Sequence, residues 1–196
     1  RDRRLRPSIH VDVEGRASIL VDTSPDLRQQ VLTHGISRLD AVLFTHSHAD
    51  HIGRVPKLVR DGFRGTIYST EASYDLAKVM LADSLKIVAY EAQQRNIAPM
   101  YEPADVERAL SLWKHIPFHN PLTLPGGFTL TLHMAGHILG SAMAKFHYGN
   151  KNIVFTGDLG NSPDPLLKDT EEVTDADYMI IESVYGDRNH EEREER

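Results

Sequence analysis

Apolar positions along this chain change period repeatedly, and each change marks a predicted element. Short, nearly continuous runs such as Ala41-Val42-Leu43-Phe44 read as buried strands, here placed at residues 39–45. Further strands are predicted over 9–13, 17–21, 66–69, 123–124, 128–134, 142–148, 152–155 and 178–182, with 128–134 alternating as a half-buried strand does. Helical stretches fall at 25–33, 55–61, 71 to about 96, and 105–112. In the long helix Leu76, Val79, Met80, Ile87 and Val88 recur at helical spacing, which predicts core packing. Residues 113–119 lead into a Pro/Gly-punctuated stretch without an assigned element. Strands interleaved with helices give an α/β class, and with no repeat or dividing linker residues 1–196 read as a single domain.

Composition narrows this picture. At 196 residues and 40% hydrophobic content the chain is large enough for a real core. The absence of Cys excludes a disulfide framework and thiolate metal sites, and fits a cytoplasmic protein. No apolar run approaches a membrane span and no signal peptide is visible, so no membrane partner is expected. The formal charge of -6 argues against a broad nucleic-acid-binding face. Part of that excess lies in the C-terminal run Glu191-Glu192-Arg193-Glu194-Glu195-Arg196, which reads as the exposed start of a helix.

The candidate chemistry is concentrated in Thr45-His46-Ser47-His48-Ala49-Asp50-His51, directly after a buried strand. Imidazole and carboxylate suit zinc and related ions, and clustered buried imidazoles would otherwise be a polar liability. His46 and His48, two apart, project to one side of extended backbone and can share one ion. Asp50 and His51 follow after the chain turns and suit a second ion; Gly53 permits the tight backbone there. Two further segments follow the same logic. Ala135-Gly136-His137-Ile138-Leu139-Gly140-Ser141 sets an isolated His after a strand, and Ile153-Val154-Phe155-Thr156-Gly157-Asp158-Leu159-Gly160 sets an Asp after another. His115, His119, His133 and His147 lack ligand context and read as structural or exposed.

With these residues in view, the chain resembles the metallo-β-lactamase-fold hydrolases, which carry a His-x-His-x-Asp-His loop, a separate His and a bridging Asp in this order. The resemblance implies an αββα four-layer sandwich. It implies His46, His48 and His137 on one ion, Asp50 and His51 on another, and Asp158 between them. Asp22 matches the family's early Asp, which supports the His-rich loop. Two Zn2+ ions are expected, roughly 3.5–4 Å apart, activating water for attack on a clamped phosphate, with Asp50 orienting or deprotonating that water.

From Gly53 onward the resemblance narrows to the β-CASP RNA-processing branch. It rests on Pro56-Lys57-Leu58-Val59, the block 135–142, Phe155-Thr156-Gly157-Asp158-Leu159-Gly160, and Glu182-Ser183-Val184-Tyr185-Gly186-Asp187-Arg188-Asn189-His190. Glu182 matches the acidic residue that opens that branch's own motifs. Residues 1–52 are more similar to small phosphodiesterases that open cyclic phosphates, relatives of the tRNA 3′-processing nucleases, through Arg3-Arg4-Leu5-Arg6-Pro7-Ser8 and Ser24-Pro25-Asp26-Leu27-Arg28-Gln29-Gln30. The two resemblances meet inside residues 46–53, which suggests a splice between two genes. A complete β-CASP protein continues through an inserted domain and supplies a final histidine to the second ion, plus another that assists the leaving group. On that comparison the chain reads as incomplete at both ends, its second metal site weak. His190 does not match the missing ligand.

Three functions follow. The first is a zinc-dependent β-CASP-type ribonuclease acting on RNA. The second is a small cyclic-phosphate or nucleotide phosphodiesterase of the same fold. The third is a metal-binding fragment with little turnover. Residues 178–181 are expected to form a sheet-edge strand open to association, which allows a homo-oligomer.

Overall fold

The computed structural model describes residues 7–13, 15–161, 163–184, 186 and 187. The Arg-rich start, Tyr185 and 188–196, with His190 and the predicted terminal helix, lie outside the described residues.

Among the described residues ten strands form two five-stranded sheets. In the first, β1 (Ile9–Val13) pairs antiparallel with β2 (Ala17–Val21), and β3 (Ala41–Leu43), β4 (Thr66–Ser69) and β5 (Trp113–His115) continue in parallel. The second runs in the order β10 (Tyr178–Ile180), β9 (Lys151–Phe155), β8 (Ala142–Tyr148), β7 (Thr129–Met134) and β6 (Leu122–Thr123). It is antiparallel except for the parallel β9–β10 pair. Between β3 and β4 lie α2 (Ala49–Ile52) and α3 (Val55–Arg60), after α1 (Leu27–Thr33); α4 (Glu71–Arg95) and α5 (Pro103–Ser111) join β4 to β5.

Strand periodicity explains the layers. Odd positions of β2 and β3 (Ala17, Ile19, Val21, Ala41, Leu43) share a core with Leu130, Leu132, Ala144, Phe146 and Phe155 of the second sheet, so the sheets pack face to face. Even positions Leu20 and Val42, with Ile67, face the opposite way onto Ile52, Val55, Val59, Ala77, Leu81, Val106 and Ala109 of the helices. This is the sandwich expected of the αββα fold. Among the described residues the outer face of the second sheet is covered by irregular chain, where Leu159, Val173 and Ala176 pack on Met143 and Val154.

The long helix departs from its predicted packing. Thr70 caps its start by accepting a hydrogen bond from Ser73 N (3.2 Å), and left-handed Asn96 ends it. The buried stripe, however, is Ser73, Ala77, Leu81 and Ala92. Leu76 and Val88 are half-buried, while Val79 and Ile87 are 67% and 55% exposed and Met80 is also exposed. The apolar side chains outnumber the positions facing the core, and small residues take the contact line because the helix lies close on its neighbours. Residues 113–119, left without an element, begin with edge strand β5, placed there by Trp113, which packs on Phe44 (ring centroids 5.2 Å) and donates to Ser69 Oγ (2.9 Å). The strand predicted at 39–45 is ordered as a strand only over Ala41–Leu43. β10 is the edge strand foreseen, exposed throughout.

Candidate metal centre

Strand ends converge at one rim of the sandwich. Asp22 follows β2, residues 45–51 follow β3, His137 follows β7, Asp158 follows β9 and Glu182 follows β10. The sheets are tied at this rim, where Ala142 N donates to Thr45 O (2.8 Å). Gly157 (φ +55°) abuts the same threonine: a Cβ there would sit 2.7 Å from Thr45 Cβ, so only glycine brings Asp158 this close.

His46, His48, His137 and Asp158 each offer a donor atom within 4.8 Å of the others. His46 Nε2 is 3.1 Å from His48 Nδ1, which is 3.3 Å from His137 Nε2; Asp158 Oδ2 lies 3.8 Å from both Nε2 atoms. Donors bound at about 2.0–2.2 Å around a tetrahedral ion stand roughly 3.3–3.5 Å apart, so this spacing could take a divalent ion after shifts of a few tenths of an ångström. Beside it, His51 Nε2 faces Asp158 Oδ1 (3.7 Å) and Asp50 Oδ2 (4.0 Å), so the two oxygens of Asp158 face the two histidine groups.

Protonation follows from burial. His46 is fully buried, and desolvation, reinforced by His51, His48 and His137, lowers its pKa to about 2, so it keeps a neutral lone pair. Burial and His137 lower His48 as well. Burial works to lower His51, but the hydrogen bond and charge of Asp22 outweigh it and raise its pKa. Burial raises Asp158, with Glu182 and Asp22 adding to the effect and His51 and His137 opposing it.

Asp22 organises these rings. Buried and left-handed (φ 60°), it accepts Thr45 N at Oδ1 (2.9 Å), and at Oδ2 it accepts Thr45 Oγ1 (2.7 Å) and His51 Nδ1 (2.9 Å). Thr45 Oγ1 is also 3.1 Å from His46 Nδ1. With the hydroxyl donating to Asp22, His46 donates from Nδ1 to Thr45, and in their neutral forms both His46 and His51 turn an unprotonated Nε2 toward the centre. Asp22 thus hydrogen-bonds both Thr45 and His51 and links the two histidine groups. Glu182 also acts from behind: its Oε1 accepts Leu159 N (2.6 Å), next to Asp158, and its own N–H donates to Thr156 Oγ1 (3.2 Å). Asp50, in the first turn of α2, is 53% exposed and faces solvent beside His51. The His137 loop is held by Ser141 Oγ, which accepts His137 N (3.0 Å), and by Thr70 and Ser73, which both donate to Gly140 O (2.7 and 2.9 Å).

Sequence reasoning missed Thr45 as the link between Asp22 and His46; its place immediately before the first histidine was the only signal. It also missed the short helix α2, whose single turn carries Asp50 and His51 round to the second group. His119 and His133, read as isolated, meet Glu171 in a separate cluster.

Residues 17–192 match the family described as the Beta-lactamase superfamily domain. That match runs through residues 46–53, where the two branch resemblances meet. The chain is 34% identical over 194 residues to Ribonuclease TTHA0252 of Thermus thermophilus, covering 96% of this chain and 43% of that protein. It is 35% identical over 165 residues to transcription termination factor FttA of Pyrococcus horikoshii, covering 82% of this chain and 24% of that protein. The chain thus spans less than half the length of these relatives. Among solved structures, Zn(2+)-bound PqqB from Methylobacterium extorquens superposes with a TM-score of 0.51 at 20% identity, covering 79% of this chain and 51% of that one. The dizinc lactonase AidC gives 0.50 at 20% identity, covering 75% and 54%. Both likenesses concern the fold.

Proposed function

This chain belongs to the beta-lactamase superfamily, and we propose that it forms the metal-bearing part of a phosphodiester hydrolase of the β-CASP type that acts on RNA. The observation that carries the reading is the convergence of His46, His48, His137 and Asp158 on one point, with His51 and Asp50 beside it. Relatives named a ribonuclease and a transcription termination factor, alike over most of this chain, favour RNA over other substrates.

We assign His46, His48 and His137 to one ion, Asp50 and His51 to a second, and Asp158 to both. The donors are imidazole and carboxylate with no thiolate, a set that suits Zn2+. Ions bound there would supply Lewis acidity, lowering the pKa of water and neutralising charge on a phosphate. The chain's own residues do the rest. Asp158 presents one oxygen to each histidine group and fixes their separation. Asp50, exposed at the mouth, accepts the proton of the attacking water and orients it. Asp22 and Thr45 keep His46 and His51 in the tautomer that ligates, and Glu182 holds the backbone after Asp158 in place.

The test is cleavage of single-stranded RNA and of bis-p-nitrophenyl phosphate by the zinc-loaded chain and by Asp158→Ala. Loss of both activities in a folded variant is expected. Near wild-type cleavage of either substrate by Asp158→Ala would overturn the two-ion reading. Cleavage of the small ester but not of RNA by the wild-type chain would favour the small phosphodiesterase suggested by residues 1–52.

A further inference from the structure

Among the described residues a second group of His and carboxylate donors comes together away from the rim centre: His119, His133 and Glu171. They come from three separate segments. His133 projects from the outer face of the second sheet, since its neighbours Leu130 and Leu132 point into the sandwich. His119 lies in the connection after β5, where its N–H donates to Leu132 O (2.9 Å). Glu171 belongs to the irregular chain crossing that face; its N–H donates to Met134 O (3.0 Å) and its Oε2 accepts Met134 N (3.1 Å).

The donors are close together. His119 Nε2 is 2.8 Å and His133 Nδ1 3.5 Å from Glu171 Oε2, and the two rings stand edge to face with centroids 5.6 Å apart. The nitrogen of His133 that faces the cluster, Nδ1, is held only by a contact at the long limit of a hydrogen bond, for a side chain only 18% exposed; its buried Nε2 lies on the other side of the ring and is not a donor to this cluster. His119 holds a left-handed backbone (φ 62°), uncommon outside glycine, and in it the ring meets Glu171. Burial, with Lys145 adding, lowers the pKa of His133, which favours the neutral ring that a ligand must be; ligation through Nδ1 takes the tautomer with its proton on Nε2.

We propose that His119, His133 and Glu171 form a second, separate divalent-metal site, of two imidazoles and a carboxylate, that takes Zn2+ or a similar transition ion and pins the crossing segment to the outer sheet face. The spacing calls for a small adjustment. An ion with bonds of about 2.0–2.2 Å needs donors roughly 3.3–3.5 Å apart, which His133 and Glu171 already have and which His119 reaches by giving up its hydrogen bond to Glu171. An ion there would leave a position open to solvent, since His119 is 53% exposed. The role is structural. Glu171 grips both backbone groups of Met134, and Thr170 Oγ1 donates to Ala135 O (2.8 Å), so a clip here steadies the strand end that leads to His137.

The proposal is independent of the reaction at the rim and is tested by metal content. The full chain and a rim variant, His48→Ala/His137→Ala, are dialysed against Zn2+, or against Co2+ for its visible spectrum, and compared with His119→Asn/His133→Phe in each background. Asn is chosen at 119 because it tolerates the left-handed backbone. The rim variant is expected to retain about one equivalent that the added pair removes, together with its Co2+ absorption and the Zn2+-dependent rise in Tm. If the paired substitution does not fold, Glu171→Gln, which still accepts from Met134 N, serves instead and should weaken that equivalent tenfold or more. Unchanged metal content after removal of the His119/His133/Glu171 donors would overturn the proposal and leave the trio an ordinary ion pair. Unchanged content in the rim variant alone would instead count against the rim centre.

Discussion

Exchanging Asp22 for Asn tests how protonation is set at the rim. Asn tolerates the left-handed backbone that Asp22 occupies, so the chain path is kept and only the hydrogen-bond polarity changes. With its oxygen on Thr45 N–H, the amide NH2 replaces the Oδ2 that accepts from Thr45 Oγ1 (2.7 Å) and His51 Nδ1 (2.9 Å). Each partner must then reverse. His51 becomes protonated at Nε2, and the Thr45 hydroxyl, no longer able to donate to residue 22, donates to His46 Nδ1 and moves the His46 proton to Nε2 as well. The opposite amide orientation sets NH2 against Thr45 N–H, two donors facing in a buried site. Losing a charge-assisted buried bond costs the metal-free fold about 1.5–3 kcal/mol. Zinc affinity at the proposed two-ion centre should fall roughly 10- to 100-fold, the usual effect of disturbing a ligand's outer partner. Urea denaturation in chelator reads the first quantity, and zinc competition against a chromophoric chelator the second. Wild-type zinc affinity at both ions in Asp22→Asn would refute the tautomer argument.

Other outcomes follow from packing and protonation. Leu81→Ala, at a fully buried position, should cost about 2–5 kcal/mol, whereas Val79→Ala on the exposed helix face should stay within about 0.5 kcal/mol; equal costs by urea denaturation would mean that Val79 is covered. His133 has a folded pKa below its unfolded value, so its share of stability is full above about pH 6.5 and is lost as pH falls below it. Among Lys145, His119 and Glu171, the charged groups facing it, only Glu171 opposes the shift. In chelator, His133→Phe should therefore lose less stability than wild type between about pH 7.5 and pH 5.5; a larger loss would contradict the sign. Chelating a site held at about 100 times its Kd should lower Tm by roughly 5–10 °C, and an unchanged thermal scan would mean that no ion binds the folded chain preferentially.

Much of this fold was legible because its central strands are short, strongly apolar runs and its longest helix has a clear cap at each end. Thr70 and Asn96 bracket α4 within a residue of its predicted limits, and α3 begins where Val55 and Pro56 place it. What was not legible depends on tertiary contact. Trp113 makes residues 113–115 a strand by packing on Phe44, and nothing local announces it. The buried line of α4 runs through Ser73, Ala77 and Leu81, and periodicity could not choose between that line and the larger Val79 and Ile87 beside it. At the rim, dense local spacing made His46, His48, Asp50 and His51 conspicuous. His137 and Asp158 stood out by the family's order of motifs. His119, His133 and Glu171 are separated by too much chain for spacing to join them, and only the sheet and the segment crossing it bring them together.

The division of the sheets along the chain sets an order of assembly. Every strand of the first sheet precedes residue 116 and every strand of the second follows residue 121. The first half carries His46, His48, Asp50 and His51, and the second carries His137 and Asp158. During synthesis the first half therefore emerges with its histidines but without the carboxylate assigned to both ions. The six assigned ligands come together only after Asp158 has left the ribosome and the two sheets have docked through Thr45 and Ala142. On the proposed ligand assignment, metal capture would therefore be a late event that reports a finished sandwich.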